Sequence, residues 1–270
     1  MSLVLAAIDD SAATAPVIHS AQWFAALFDL DVRAVYVSDD DERRTACLVA
    51  DAAGTCLETR RGDPVRAIRT AAAAPEVRAL AIGTRRLPGH GSPAGHVALD
   101  LIRCATKPTL VVSPDALLPR PDRLRVLAPL DEHSESASAL RGFLKEIKHR
   151  ELELVLLRVF DPEHVPRFDD HGRHNDALIE RLVHHGASTE SARTRIEMRV
   201  GFPASAILDV ERGVAADLVV LAWGCDLSGD RASVIKRLLT DARTALLLLP
   251  MRERTGVDDF SRRDAASRMW

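Results

Sequence analysis

Ala7-Ile8-Asp9-Asp10-Ser11 closes the first apolar run of the chain, and Leu130-Asp131-Glu132-His133-Ser134 closes another of the same kind. In each, a short aliphatic run ends in an acid followed by small or polar residues, as a buried strand does when it gives way to a turn and a helix. The landmarks that follow recur in the same order. Gly62-Asp63-Pro64 leads to Ile68, and Gly201-Phe202-Pro203 leads to Ile207. Both read as a glycine turn into a helix with proline in its first turn. Each half then ends in an apolar run that meets a proline, Pro114 or Pro250. Ordered landmarks at matched spacing indicate an internal duplication.

Between the landmarks, apolar runs alternate with helical patterns, which predicts βαβ units and parallel sheets. Strands are predicted at 4–8, 32–37, 55–59, 79–82 and 109–112, with helices at 13–28, 42–53, 66–74 and 97–104. The second half replays this with strands at 124–130, 152–160, 195–200, 218–221 and 245–249. Its helices are predicted at 135–148, 176–185, 204–213 and 232–241. The expected domains are 1–114 and 124–251, joined by a linker at 115–123 that holds Pro119 and Pro121. A charged, aperiodic tail at 252–270 is expected to be disordered.

Composition narrows the function. Of 270 residues, 47% are apolar and only 4% aromatic, so Ala, Val, Leu and Ile must build the core. That bias suits buried parallel strands. A net charge of −3, with no long basic run, argues against a nucleic-acid partner. Cys47, Cys56, Cys104 and Cys225 have no metal-ligand spacing and read as the thiols of a reducing compartment. The N-terminus lacks the basic region of a signal peptide, and no apolar run nears the ~20 residues of a membrane helix. A soluble, cytoplasmic protein is expected. His171 and His174 are three apart, but no carboxylate or cysteine completes a metal site, and they read as loop histidines. No phosphate-loop lysine motif, nucleophile elbow or His-Glu-x-x-His occurs, so no dedicated catalytic centre is expected.

Together these motifs resemble the universal stress protein family, once per half. The first half carries the resemblance in Ala7-Ile8-Asp9-Asp10-Ser11, Gly62-Asp63-Pro64, Gly83-Thr84-Arg85-Arg86, Gly95-His96-Val97 and Lys107-Pro108-Thr109-Leu110-Val111-Val112. The second carries it in Leu130-Asp131, Gly201-Phe202-Pro203, Asp217-Leu218-Val219-Val220 and Ala232-Ser233-Val234 with Leu249-Pro250. The resemblance implies an α/β fold of two tandem doubly wound domains, each a five-stranded parallel sheet of order 3-2-1-4-5 flanked by helices. It also implies that the last strands, 109–112 and 245–249, face each other across a pseudo-twofold axis.

In such a sheet, ligands bind beyond the carboxyl ends of the strands where strand order reverses. The candidate binding residues of the first half are Asp9, Val37, Gly83, Arg85, Arg86, Gly89, Gly95 and His96. Glycines let backbone N–H groups approach phosphate, and arginines add charge-assisted hydrogen bonds. Ser92-Pro93 reads as the N-cap and first residue of the last helix. Asp9, at a strand tip, suits either a ribose hydroxyl or a cap on the following helix.

Nucleotide-binding members of the family use a Gly-x-x-Gly-x9-Gly-Ser/Thr loop. Here Arg86 replaces the second glycine, the spacing to Gly95 is one residue short, and His96 replaces the hydroxyl residue. Gly89 is the candidate to stand in for the missing glycine. The second half departs further, with Ala222-Trp223-Gly224-Cys225 in place of Gly-Ser-x-Gly and with Asp226 and Asp230 nearby. Trp223 is expected to fill part of that crevice, leaving a degenerate site.

The expected function is a stress-response sensor or signalling module that binds ATP or another adenine nucleotide with Mg2+, mainly through the first half. Any hydrolysis would be slow and incidental. The alternative is a nucleotide-free interaction scaffold. The other partners expected are an unidentified protein and a second copy of the chain in a homodimer.

Overall fold

The computed structural model describes residues 2–39, 45–84, 94–120, 123–131, 134–147, 151–160, 193–227 and 229–251. The first half runs β1 (Leu3–Ile8), α1 (Thr14–Ala26), β2 (Asp31–Val37), α2 (Thr45–Ala52) and β3 (Cys56–Arg60). It continues with α3 (Pro64–Ala72), β4 (Val77–Gly83), α4 (His96–Arg103) and β5 (Thr109–Val112). The second half runs β6 (Leu124–Pro129), α5 (Ser134–Glu146), β7 (Leu152–Phe160) and β8 (Arg193–Val200). Then come α6 (Pro203–Val214), β9 (Leu218–Trp223), α7 (Gly229–Asp241) and β10 (Ala245–Pro250). The helix expected at 176–185 and the tail at 252–270 lie outside the described residues. No described helix is long and apolar enough to cross a membrane.

All ten strands join one sheet in the order β3-β2-β1-β4-β5-β10-β9-β6-β7-β8. Each half has the expected 3-2-1-4-5 order, with parallel neighbours throughout. The exception is the seam, where β5 and β10 pair antiparallel with Leu110 opposite Leu247. The seam is dry: Leu110, Val112, Leu247 and Leu248 are fully buried. Each buried aliphatic side chain contributes roughly 1.5–3 kcal/mol. Pairing also removes the exposed edge that each half would otherwise present.

Helices α1, α2 and α5 cover one face of the sheet, and α3, α4, α6 and α7 cover the other. Both cores run across the seam. On the first face, Phe143 of α5 stacks near Phe24 of α1 (centroids 6.5 Å apart, planes 9° apart) and meets Phe28 at 5.8 Å.

The two halves fasten one corner in opposite ways. In the first, Lys107 Nζ, in the turn before β5, donates to the carbonyls of Ala74 and Val77 at 2.6 and 2.7 Å. Burial lowers the Lys107 pKa and nearby Arg78 lowers it further, while Glu76 partly offsets them. In the second half, the buried Glu211 of α6 reaches the turn before β10. Its Oε1 accepts from the N–H groups of Arg243 and Thr244, each at 2.9 Å. A cation binding carbonyls in one half is replaced by an anion binding amides in the other.

β8 forms one edge of the sheet, and Arg193, Arg195, Glu197 and Arg199 alternate along it, which discourages edge-to-edge pairing. Beside them Glu153 of β7 accepts from Arg125 Nε at 2.9 Å. Arg123 and Arg195 are also near, at 3.4 and 3.9 Å. Burial would raise the Glu153 pKa, but the Arg125 hydrogen bond and the three positive charges outweigh it, so the carboxyl sits below its usual range. A depressed carboxyl pKa adds stability that is present above the unfolded-state value and lost as pH falls through the folded-state value. Glu153→Gln is therefore expected to lower Tm at neutral pH by about 2–4 °C, with the gap closing as pH falls through the lowered folded-state value of the carboxyl. Calorimetry across that range measures it; a gap that persists in acid would mean the effect is packing rather than charge.

Candidate crevice at the switch point of the first half

The chain leaves β1 toward α1 on one face and leaves β4 toward α4 on the other. Neighbouring strands whose connections diverge must open a crevice at their carboxyl ends. A cavity of about 320 Å3 lies there. Asp9, Val37, Gly83, Gly95 and His96 all line it, five of the eight residues picked out in the sequence. Arg85, Arg86 and Gly89 lie outside the described residues.

Each of the five has its place for a local reason. Gly83 ends β4 beneath α1, where a Cβ would stand 2.8 Å from Ala13 Cβ and 3.3 Å from Val17 Cγ2. Gly95 is the N-cap of α4, with φ −58° and ψ 152° and no side-chain cap bond, and the exposed His96 is the first helical residue. The cap therefore falls three residues beyond the expected Ser92, which itself lies outside the described residues. Extended backbone suffices at this position, so the chain can enter the helix through glycine, which offers the first N–H groups no side-chain acceptor of its own.

Asp9 does not cap α1. Its Oδ1 accepts from the Ser11 N–H at 2.9 Å, closing an Asx turn, and its carbonyl accepts from the Thr14 hydroxyl. The N-cap of α1 is Ala13. The capping acid is the next residue, and it caps a different helix. Asp10 accepts from the Tyr36 hydroxyl at 2.7 Å and from the Ala46 N–H, in the first turn of α2, at 3.0 Å. Asp10 thus ties the β1–α1 turn to β2 and α2.

Sequence reasoning missed Ser11, Thr14 and Pro64 as lining residues. Pro64 was visible as a landmark: Asp63 accepts from Arg66 N–H at 2.8 Å and caps α3, so the Gly62 turn delivers the start of α3 to the crevice. Ser11 and Thr14 carried no signal beyond their nearness to Asp9.

The second half differs in its details. Trp223 ends β9. It is fully buried, and its indole N–H donates to the Ile102 carbonyl of α4 in the other half at 2.8 Å. A buried indole needs an acceptor, and the last carbonyls of a helix have no partner within it. Cys225, at φ 60°, stands where the family pattern has its second glycine, a conformation glycine adopts freely. Its thiol donates to the Ala105 carbonyl at 3.1 Å. These residues serve the contact between halves. Asp131 and Asp226 are exposed, and the Asp230 side chain, like His171 and His174, lies outside the described residues. Among the described residues no group of three or more His, Cys, Asp or Glu is placed to hold a metal.

Comparison with known proteins agrees with the architecture. Residues 123–250 match the model of the universal stress protein family. A universal stress protein from Archaeoglobus fulgidus is similar over 92% of this chain and 98% of its own, with TM-score 0.64 and 15% identity. A Pseudomonas aeruginosa protein assigned to the same family is similar over 93% and 94%, with TM-score 0.65 and 14% identity. At such identities the likeness is one of fold. A universal stress protein family protein from Arabidopsis thaliana, solved with AMP bound, covers 51% of this chain and 99% of its own, with TM-score 0.36 and 14% identity. No curated protein matches the sequence.

The Gly83 contact gives a test of the crevice wall. Gly83→Ala is expected to push α1 off the end of β4 and to destabilise the protein by about 1–3 kcal/mol. Chemical denaturation measures the loss. An unchanged midpoint would show that α1 yields without cost.

Proposed function

The chain belongs, through residues 123–250, to the universal stress protein family, and on that premise we propose that it binds an adenine nucleotide in the first-half crevice. One observation carries the reading: a single cavity of about 320 Å3 gathers an acid at a strand tip, two glycines and an uncapped helix start. That volume lies at the small end of the ~300–1,000 Å3 typical of ligand sites. The N–H groups at the start of α4 suit a phosphate, which the helix dipole also favours. Asp9 at the tip of β1 suits a ribose hydroxyl, and the apolar Val37 and Ile68 suit the face of a base.

The nucleotide, ATP with Mg2+ or a related adenylate, acts in this reading as a signal. Its binding orders the crevice and changes the surface offered to a protein partner. Hydrolysis is expected to be slow at most. The second half plays a supporting part, because Trp223 and Cys225 are committed to contacts with Ile102 of α4 and with Ala105 just beyond it.

The test is a thermal-shift titration with ATP and Mg2+ of the parent chain and of Gly95→Trp, which fills the crevice mouth. Saturable stabilisation of the parent, absent in the variant, is the expected outcome, because a ligand of the folded state raises its stability. No shift of the parent at millimolar ATP would favour the nucleotide-free scaffold.

A further inference from the structure

A second pocket, of about 490 Å3, lies between α3 and α4, away from the crevice. Arg66 and Arg69, one turn apart on α3, line it together with Lys107, and no carboxylate is among its lining residues. Arginines three apart on a helix lie on the same face, and their planar forks suit one doubly charged group. Among the described residues neither guanidinium has an ion-pair or hydrogen-bond partner. Surface arginines without partners are common, but two lining one concave site with no acid are not explained by solvation alone.

The ends of α3 and α4 would repel an anion through their carbonyl dipoles. Lys107 counters this, because its ammonium is fixed on the Ala74 and Val77 carbonyls just past α3 and keeps a third hydrogen. Leu80 and Leu101 supply an apolar floor. Inorganic phosphate alone would leave that floor and most of the volume unused.

We propose that this pocket binds a small organic phosphate, its dianionic group held by Arg66 and Arg69 beside Lys107 and its apolar part lying over Leu80 and Leu101. The site is separate from the nucleotide crevice, although Leu101 lines both cavities.

The exposed Cys104 also lines the pocket and reports its occupancy. The experiment follows alkylation of each thiol by iodoacetamide, resolved by peptide mass spectrometry, with phenyl phosphate as the probe and phenol as the neutral control. Phenyl phosphate is expected to slow reaction at Cys104 about threefold or more, saturably, while the exposed Cys56 reacts as before and phenol does nothing. The double variant Arg66→Gln, Arg69→Gln keeps good helix formers at exposed positions and is expected to fold. It should lose the protection at Cys104 yet retain the thermal shift with ATP. An unchanged Cys104 rate, protection that survives in the double variant, or equal protection by phenol would each overturn the site. The Cys104 results do not depend on whether ATP binds in the crevice.

Discussion

The antiparallel pairing of β5 with β10 is the contact on which the rest of the molecule depends. Without it each half is a five-stranded sheet with one bare apolar edge. With it, ten strands share one hydrogen-bonded sheet and two cores that cross from half to half. The register puts Leu246, Leu247 and Leu248 against Val111, Leu110 and Thr109, all of them buried. Everything else at the seam is secondary to this dry strip. The Phe24–Phe143 stack and the Trp223–Ile102 bond close its two faces, and the exposed Arg78–Glu146 pair at 3.5 Å adds little.

Much of the fold was legible because repetition made the signals unambiguous. The two Gly-x-Pro turns show why. Gly62 has φ 95° and Gly201 has φ 131°, values that favour glycine, and in each case proline starts the next helix. Local backbone chemistry fixed both, so the sequence displayed both. Apolar runs located the strands to within a residue or two, and β5 and β7 fell on the predicted boundaries. Polar ends were less clear: β8 begins at Arg193, two residues before the predicted start, because a charged edge strand lacks an apolar pattern.

The site was legible to the extent that its residues follow the backbone. Asp9, Val37, Gly83, Gly95 and His96 end or begin regular elements, and topology brings such ends together. Long-range side-chain bonds left no trace in the sequence. Asp10 looked like a twin of Asp9, yet it serves α2 rather than the crevice. Trp223 stood out as a bulky residue in a binding loop, but nothing near it in the chain announced its bond to α4 across the seam. Lys107 and Glu211 solve one problem with opposite charges, so no motif could have marked both. In each case the partner is far away in the chain, where neither periodicity nor spacing reaches.

Because strand direction reverses at the seam, the carboxyl ends of β1 and β4 point one way and those of β6 and β9 the other. A symmetric pair of this kind would present the same mouth at both poles. Here one pole holds the crevice of the first half, while at the other Trp223 and Cys225 bond to the first half across the seam. The molecule has therefore become polar, with a distinct head and tail. A partner that reads the crevice at one pole would meet different side chains at the other, so the two ends of the molecule are not interchangeable as docking surfaces.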